Sequence, residues 1–452
     1  MDRLFGTNGV RGVINESLTV EMALDLGRAV GTILGPGIVA LSKDSRMGGG
    51  MFVSAVISGL LSTGCSVIDI GPAPTPTLQF MIPRLDCVGG VMITASHNPP
   101  EFNGIKVMGN NGIEVTREVE SRIEASYSRK DFRAAEWRNI GVVRNYDGAN
   151  RVYLDAIKSH VNAEKIESQN FRVVVDCANS VGSLATPQLL RELGCTVFSL
   201  NARLDGKFPG RDPEPTPSNL SYLSQVVKSV GADIGIAHDG DADRATFVDE
   251  NGRVLWGDQS FAIVASYVLS MMKGSVLVTP VSSGRLIEDV AKNAGAKIDW
   301  TVVGSVVVSH RLEEIGAQLG GEENGGVFYP PHQPVRDGAM TAVQVVEIMA
   351  DKKKKLSELV SELPRYFSTK KKVPVPHEKK AAVLDVLLKL SEGHQRITID
   401  GVKLLYDEGW VLIRPSGTEP LWRCFSESST QAGADRLAEQ GESLIREAIA
   451  KL

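Results

Sequence analysis

A serine, an imidazole and a turn-forming Asn-Pro pair stand side by side in Thr94-Ala95-Ser96-His97-Asn98-Pro99, where the apolar run Gly90-Val91-Met92-Ile93 ends. A hydroxyl in that place is exposed to ligand, and serine is a weak nucleophile until it is activated or phosphorylated. Taken alone, the segment reads equally well as a turn whose Ser96 and Asn98 bond their own backbone. A second segment, His238-Asp239-Gly240-Asp241-Ala242-Asp243-Arg244, follows the apolar residues 232–237. Carboxylates at alternate positions repel one another, and a hard cation with oxygen ligands neutralises them best. Because a strand-like run feeds directly into them, Asp239, Asp241 and Asp243 point to metal ligation rather than to a solvated acidic loop.

Two other metal chemistries compete for this loop. Asp239, Asp241, Asp243 and Glu250 match the spacing of a calcium hand, but Arg244 stands where the hand needs glycine. The residues that follow, 245–255, read as a hairpin around Asn251-Gly252 rather than an exit helix. A haloacid-dehalogenase-like phosphatase would use the first aspartate as nucleophile early in its fold. Here the aspartates lie mid-chain, after a complete α/β region.

Arg414-Pro415-Ser416-Gly417-Thr418-Glu419-Pro420, with Arg423 close behind, gathers arginine, hydroxyls and an approachable glycine, which suits an oxyanion such as phosphate. Gly320-Gly321-Glu322-Glu323-Asn324-Gly325-Gly326 sets acceptors and an amide on a glycine frame suited to vicinal sugar hydroxyls, or to plain solvent. The glycine-rich residues 5–12 surround Arg11 and do not form the strand-led nucleotide fingerprint. Asn103-Gly104-Ile105-Lys106 reads in isolation as a surface turn carrying a lysine.

The pattern between these segments is α/β. Residues 21–34 carry apolar side chains at helical spacing, stop at Gly35-Pro36-Gly37 and precede a strand at 38–41. Residues 52–63 read as helix and 66–70 as strand. The alternation recurs with a strand at 171–176, a helix at 185–193 and a strand at 196–200, and again with strands at 275–279 and 297–303. From Asp351 the composition turns lysine-rich, and 368–372 reads as a linker. Strands at 396–400, 402–406 and 409–413 and a helix at 432–450 then predict an α+β module.

At 452 residues the chain exceeds what one core supports, so several domains are expected. With 42% hydrophobic and 23% charged residues it belongs to neither the disordered nor the fibrous class. A net charge of −5 with scattered lysines leaves no nucleic-acid footprint. Five widely spaced cysteines without a C-x-x-C pair indicate a reducing cytoplasm and argue against a zinc site. The start lacks a secretory signal and the apolar stretch 261–272 is too short to span a bilayer, so a cytoplasmic protein with no membrane partner is expected.

In this order and at these intervals, Thr-Ala-Ser-His-Asn-Pro, Asp-Gly-Asp-Ala-Asp-Arg, Gly-Glu-Glu-Asn-Gly and Arg-Pro-Ser-Gly-Thr-Glu-Pro resemble the α-D-phosphohexomutase superfamily, over essentially the whole chain. The resemblance implies four domains around a central cleft, three of related α/β build at 1–150, 151–252 and 253–367 and a fourth, α+β, at 373–452. It implies an isomerase that moves phosphate between O1 and O6 of a hexose phosphate through a phosphoserine and a bisphosphorylated sugar. Ser96 would be the phosphoserine, with His97, Lys106 and Arg11 about the transferring group. Asp239, Asp241 and Asp243 would bind Mg2+ together with a Ser96 phosphoryl oxygen. Arg244 would neutralise phosphate, Gly304, Glu322 and Asn324 would bind substrate, and Arg414, Ser416, Gly417, Thr418 and Arg423 would anchor the non-reacting phosphate.

A hexose 1,6-bisphosphate would serve as activator, the partner would be a small sugar phosphate, and the protein would be a monomer or homodimer. In many relatives the sugar loop reads Gly-Glu-x-Ser-Gly-His, whereas this chain has Asn324 and Gly326 and so loses a proton carrier. Residues 5–12 look closer to phosphoglucosamine mutases than to phosphomannomutases, and the sugar loop resembles archaeal-type members. Glucosamine phosphate is the expected substrate, with mannose and glucose phosphates the alternative. Readings of other classes are a metal-dependent sugar phosphatase with Asp239 as nucleophile and a non-catalytic sugar-phosphate-binding protein.

Overall fold

The computed structural model describes residues 4–6, 8–272, 274–416 and 420–452. Six strands form the N-terminal sheet: β1 (Val10–Val13), β2 (Ile38–Lys43), β3 (Ser66–Pro72), β4 (Gly89–Ile93), β5 (Phe102–Gly109) and β6 (Val143–Asn145). Their order is β1-β5-β4-β2-β3-β6. β4, β2, β3 and β6 run parallel, while β5 returns antiparallel to β4 and β1 antiparallel to β5. The apolar run of β2 is buried through its middle, as a parallel strand covered by helices on both faces requires.

The helix Val20–Leu34 begins at Thr19, whose hydroxyl accepts from the Met22 amide at 3.3 Å. It packs against the helix Gly49–Ser62 with backbones in contact, since a Cβ on Gly27 would lie 2.5 Å from the Val56 carbonyl oxygen.

The second sheet holds β7 (Arg172–Asp176), β8 (Thr196–Leu200), β9 (Ile234–His238) and β10 (Ala245–Asp249), ordered β10-β9-β7-β8. The third holds β11 (Val276–Pro280), β12 (Lys297–Thr301), β13 (Leu319–Gly321), β14 (Val327–Tyr329) and β15 (Gln333–Arg336), ordered β12-β11-β13-β14-β15. The fourth is wholly antiparallel, with β16 (Phe367–Pro374), β17 (Arg396–Ile397), β18 (Val402–Tyr406), β19 (Gly409–Pro415) and β20 (Leu421–Ser428) in the order β16-β20-β19-β18-β17. One apolar cluster runs continuously through the first three units, from Ala40 to Val360. The fourth has its own core around Trp422 and meets the third through the small apolar group Val281, Trp410 and Leu412 and through polar contacts such as those of Arg285 with the Tyr406 and Asp407 carbonyls and of Lys403 with the Ser283 carbonyl. Among the described residues no helix is long and apolar enough to cross a membrane.

Three expectations are corrected. Residues 368–372 are not a linker but part of β16, paired along its length with β20. Its lysines alternate between the two faces of this edge strand, Lys370 pairing with Glu323 at 3.2 Å and Lys371 with Glu442 at 3.0 Å. Asn103 to Lys106 is not a surface turn but the centre of β5, with Lys106 only 1% exposed. The strand expected at 396–400 shrinks to the two residues of β17.

Candidate active site

The serine loop and the acidic loop each sit where a strand ends, while Arg11 and Lys106 project from within β1 and β5. Ser96 follows β4 and takes a left-handed backbone, φ 49°. For a residue with a Cβ this costs on the order of 1 kcal/mol and persists only where the surroundings enforce it. The Thr94 hydroxyl accepts from the Ser96 amide at 2.9 Å and itself donates to Asp44 at 2.6 Å. The buried Arg46 guanidinium donates to the carbonyls of Ser96, Asn98, Pro99 and Phe102. Four carbonyls of the loop are thereby held around one planar cation, which itself pairs with Asp44 at 3.2 Å.

Arg46→Ala takes the guanidinium donor from those carbonyls and leaves the buried Asp44 without its cation, and losing one half of a buried ion pair costs about 3–5 kcal/mol. Expected is a fall of several degrees in the melting midpoint, with Arg46→Lys recovering little because an ammonium cannot span the fork. A thermal melt of the two variants checks this, and an unshifted midpoint for Arg46→Ala refutes it.

The acidic loop joins β9 to β10. His238 fixes it from below, one ring nitrogen 2.7 Å from the Thr186 hydroxyl and the other 2.8 Å from the Arg244 carbonyl. Asp239, Asp241 and Asp243 are buried, and a ligand oxygen from each lies within 4.8 Å of the others. The Ser96 hydroxyl donates to Asp239 at 2.8 Å, bringing the serine of the first unit onto the carboxylates of the second. A Cβ on Gly240 would lie 2.2 Å from the Ser96 carbonyl oxygen, so the two loops meet backbone to backbone.

Each aspartate has its own cation, and each cation has a second, outer glutamate. Arg244 bonds Asp239 at 3.0 Å and Glu214 at 3.1 Å through both terminal nitrogens. Lys106 bonds Asp241 at 2.8 Å and lies 3.6 Å from Glu114. Arg336 bonds Asp243 and, at 3.2 Å, Glu322. One cation–glutamate pair thus comes from each of the first three sheet units.

Burial would strip the charge from Lys106, but Asp241, Glu114 and Asp243 outweigh it and raise its pKa. His97, its side chain 47% exposed, lies 3.4 Å from the Ser96 hydroxyl and 3.6 Å from Glu214, and partial desolvation followed by the Arg244 charge lowers its pKa. Arg11 donates to the Ala95 carbonyl at 3.2 Å and to Asn98, on the same loop.

The carboxylates fit a divalent cation. Asp241 Oδ2 is engaged by Lys106 and Thr75 and Asp243 Oδ2 by Arg336, while Oδ1 of each is buried without a hydrogen-bond partner. Unpaired, buried, hard oxygens converging from neighbouring positions are what such an ion takes up.

Of the remaining expected residues, Glu322 is buried against Arg336, and Asn324 is exposed, its side-chain oxygen accepting from the Gly326 amide at 3.0 Å. Gly304 precedes the helix Ser305–Ile315 and lines, with Arg414, Arg117 and Trp300, a cavity of about 670 Å³. Asn8 reaches across to the Ser305 hydroxyl at 3.1 Å. Arg414 and Arg423 face each other in the β19–β20 register, an opposition of like charge that an anion would relieve. Arg414 is paired with Asp400 at 2.9 Å. Ser416 is buried, its carbonyl accepting from Lys380 at 2.6 Å, and the expected Gly417 and Thr418 lie outside the described residues.

The structure therefore gathers Ser96, His97, Lys106, Arg11, the three aspartates, Arg244 and Glu322 in one cluster, and Gly304 and Arg414 at a neighbouring cavity. Sequence reasoning missed Arg46, Glu114, Glu214 and Arg336. Only Arg336, opening Arg336-Asp337-Gly338 at the end of a strand, carried a local signal.

Three sheet units closing on a serine and a carboxylate triad that could hold a metal ion, with a fourth carrying facing arginines, define a multidomain α/β protein. Models of the phosphoglucomutase/phosphomannomutase family match the chain in sequence: alpha/beta/alpha domain I at residues 2–134, domain II at 151–252, domain III at 256–367 and the C-terminal domain at 371–442. The chain belongs to this family, and so to the phosphohexomutases, isomerases that shift phosphate within a sugar phosphate.

It is 48% identical to a phosphoglucomutase/phosphomannomutase of Thermococcus kodakarensis, over 99% of this chain and 100% of that one. It is 42% identical to a phosphoglucosamine/phosphogalactosamine mutase of Sulfurisphaera tokodaii, over 98% and 99%. A solved phosphoglucomutase/phosphomannomutase family protein of Burkholderia thailandensis superposes with a TM-score of 0.89 at 27% identity, covering 98% of this chain and 97% of that one. The expected four-domain α/β fold is borne out.

Proposed function

We propose that the protein interconverts hexose 1-phosphate and hexose 6-phosphate through a phosphorylated Ser96, with Mg2+ at the three aspartates. The observation that carries this is the Ser96 hydroxyl, held in a left-handed backbone and bonded to Asp239 at the rim of a triad with unpartnered oxygens. When bound, the ion would draw charge from the phosphoryl oxygens. Ser96 gives its phosphoryl group to the free sugar hydroxyl, forming a bisphosphate, which turns over and returns its other phosphate to the same oxygen. Arg11 and Arg244 neutralise the phosphoryl group in transit. The charged Lys106 holds a proton at Nζ for the departing oxygen, and His97, 3.4 Å from the Ser96 hydroxyl, orients the serine oxygen.

Gly304, Glu322 and Asn324 bind the sugar side, and Arg414, Ser416, Gly417, Thr418 and Arg423 hold the phosphate that is not reacting. A hexose 1,6-bisphosphate primes Ser96. The buried free thiols of all five cysteines support a reducing, cytoplasmic setting. Glucosamine phosphate is the proposed sugar, supported by residues 5–12 and by the name of the Sulfurisphaera relative. The 48% identity to the Thermococcus protein favours glucose and mannose phosphates as the second reading.

Side-by-side kcat/KM values for glucosamine, glucose and mannose 1-phosphates, with Mg2+ and the matching bisphosphate, decide between them. Intact-mass detection of phosphate on Ser96 accompanies the assay. Net release of inorganic phosphate without interconversion would instead identify a phosphatase.

A further inference from the structure

Gly326 lacks a side chain because another residue fills that place. A Cβ built on Gly326 would lie 2.4 Å from Cδ of Arg336 and 3.1 Å from its Cγ. The Gly326 backbone has no positive φ, so the arginine, not the chain conformation, bars a larger residue. The Arg336 guanidinium bridges Asp243 of the metal loop and Glu322 of the sugar loop. Its side chain remains 12% exposed, and its other N–H groups have no acceptor among the described residues. Asp243 Oδ2, to which it bonds, lies 3.9 Å from Lys106 Nζ, and Asp239 of the same triad holds the Ser96 hydroxyl. Arg336 therefore stands between Asp243 of the triad that holds the Ser96 hydroxyl and Glu322 of the 320–326 loop, with donors to spare.

We propose that Arg336 is a substrate-contacting residue whose open N–H edge donates to phosphoryl oxygens of the hexose phosphate as it lies between Ser96 and the sugar loop. This deepens the mutase reading and rests on it. A planar guanidinium suits the task because it can keep its two carboxylates along one edge and offer paired donors along another. The cation removed from the loop by glycine at 326 is supplied from β15 by Arg336.

Three measurements test it. Titration calorimetry with glucosamine 1-phosphate and Mg2+ should show Arg336→Ala binding roughly 10- to 100-fold more weakly, with kcat/KM falling at least as far. Mg2+ affinity and far-UV circular dichroism should stay near wild type. Unchanged substrate affinity, or a loss of Mg2+ affinity that matches the loss of activity, overturns the proposal, the latter by making Arg336 a brace of the metal loop.

Adding Glu322→Gln to Arg336→Ala should leave activity low. Recovery would show that Arg336 only balances Glu322, and would overturn the contact. Gly326→His should lower the melting midpoint in the presence of Arg336 and lower it much less in the Arg336→Ala background, whereas additive effects overturn the claim that Arg336 occupies the space. If the wild type binds glucosamine 1-phosphate without interconverting it, the mutase reading fails, while the binding comparison still tests the contact.

Discussion

Ser96→Ala is expected to lower kcat by at least about four orders of magnitude while leaving hexose 1-phosphate binding within a few-fold of wild type. The hydroxyl is the atom that carries phosphate, and no neighbour can replace it. Lys106, Arg11 and Arg244 are cations with no free lone pair at neutral pH, and the aspartate oxygens are turned toward one another. His97 lies 3.4 Å from the lost oxygen but is a separate group on its own stem. The variant should also fail to acquire mass on incubation with a hexose 1,6-bisphosphate. Phosphate incorporation at another residue, or turnover within tenfold of wild type, would show that the serine is a turn residue and that an aspartate attacks instead. Because the Ser96 amide and carbonyl make the loop's hydrogen bonds, alanine should retain the loop and the melting midpoint.

How much of this was legible from the sequence depended on the range over which each signal acts. The acidic loop and the serine loop are local: strand, polar turn and strand lie within a few residues, and both fell where the pattern placed them. Lys106 was misread because Asn103-Gly104 looks like a turn. Its burial in β5 depends on pairing with β4 and β1, which the local composition does not disclose.

Arg46, Glu114 and Glu214 carried no motif of their own, and Arg336 only the weak one of Arg336-Asp337-Gly338 at a strand end. Arg46 and Arg336 become chemical only through partners far along the chain, Ser96 for Arg46 and Asp243 for Arg336, and Glu114 only once β5 is seen to bury Lys106. The same holds for β16, whose lysines suggest solvent until β20 is seen beside it. Gly326 is the reverse case: the departure from the family pattern was visible, but its reason, a side chain arriving from β15, was not.

The charge pattern carries the second large prediction, and its two readouts move in opposite directions. Asp243 is buried, and burial together with the neighbouring Asp241 and Asp239 raises its carboxyl pKa despite the pull of Arg336. A folded-state value above the unfolded one means that protonation favours folding. The metal-free protein therefore loses stability as pH rises from about 4, the unfolded carboxyl value, through the raised folded value, and above it carries the full strain of the ionised group.

Asp243→Asn removes that charge, keeps the shape and leaves Arg336 with Glu322. Without divalent cation at pH 8, the variant should be more stable than wild type by on the order of 1 kcal/mol, an advantage that shrinks as pH falls toward 5. Millimolar Mg2+ should reverse the order, because binding at about 100 times Kd stabilises the wild type by about 2.7 kcal/mol and the variant has lost a ligand oxygen's charge. Activity of the variant should fall by on the order of 10³. Thermal melts across pH with EDTA and with Mg2+ read all of this. If Asp243→Asn is the less stable protein at pH 8 in EDTA, the triad is not electrostatically strained, and the case that it is shaped for a cation loses its physical basis.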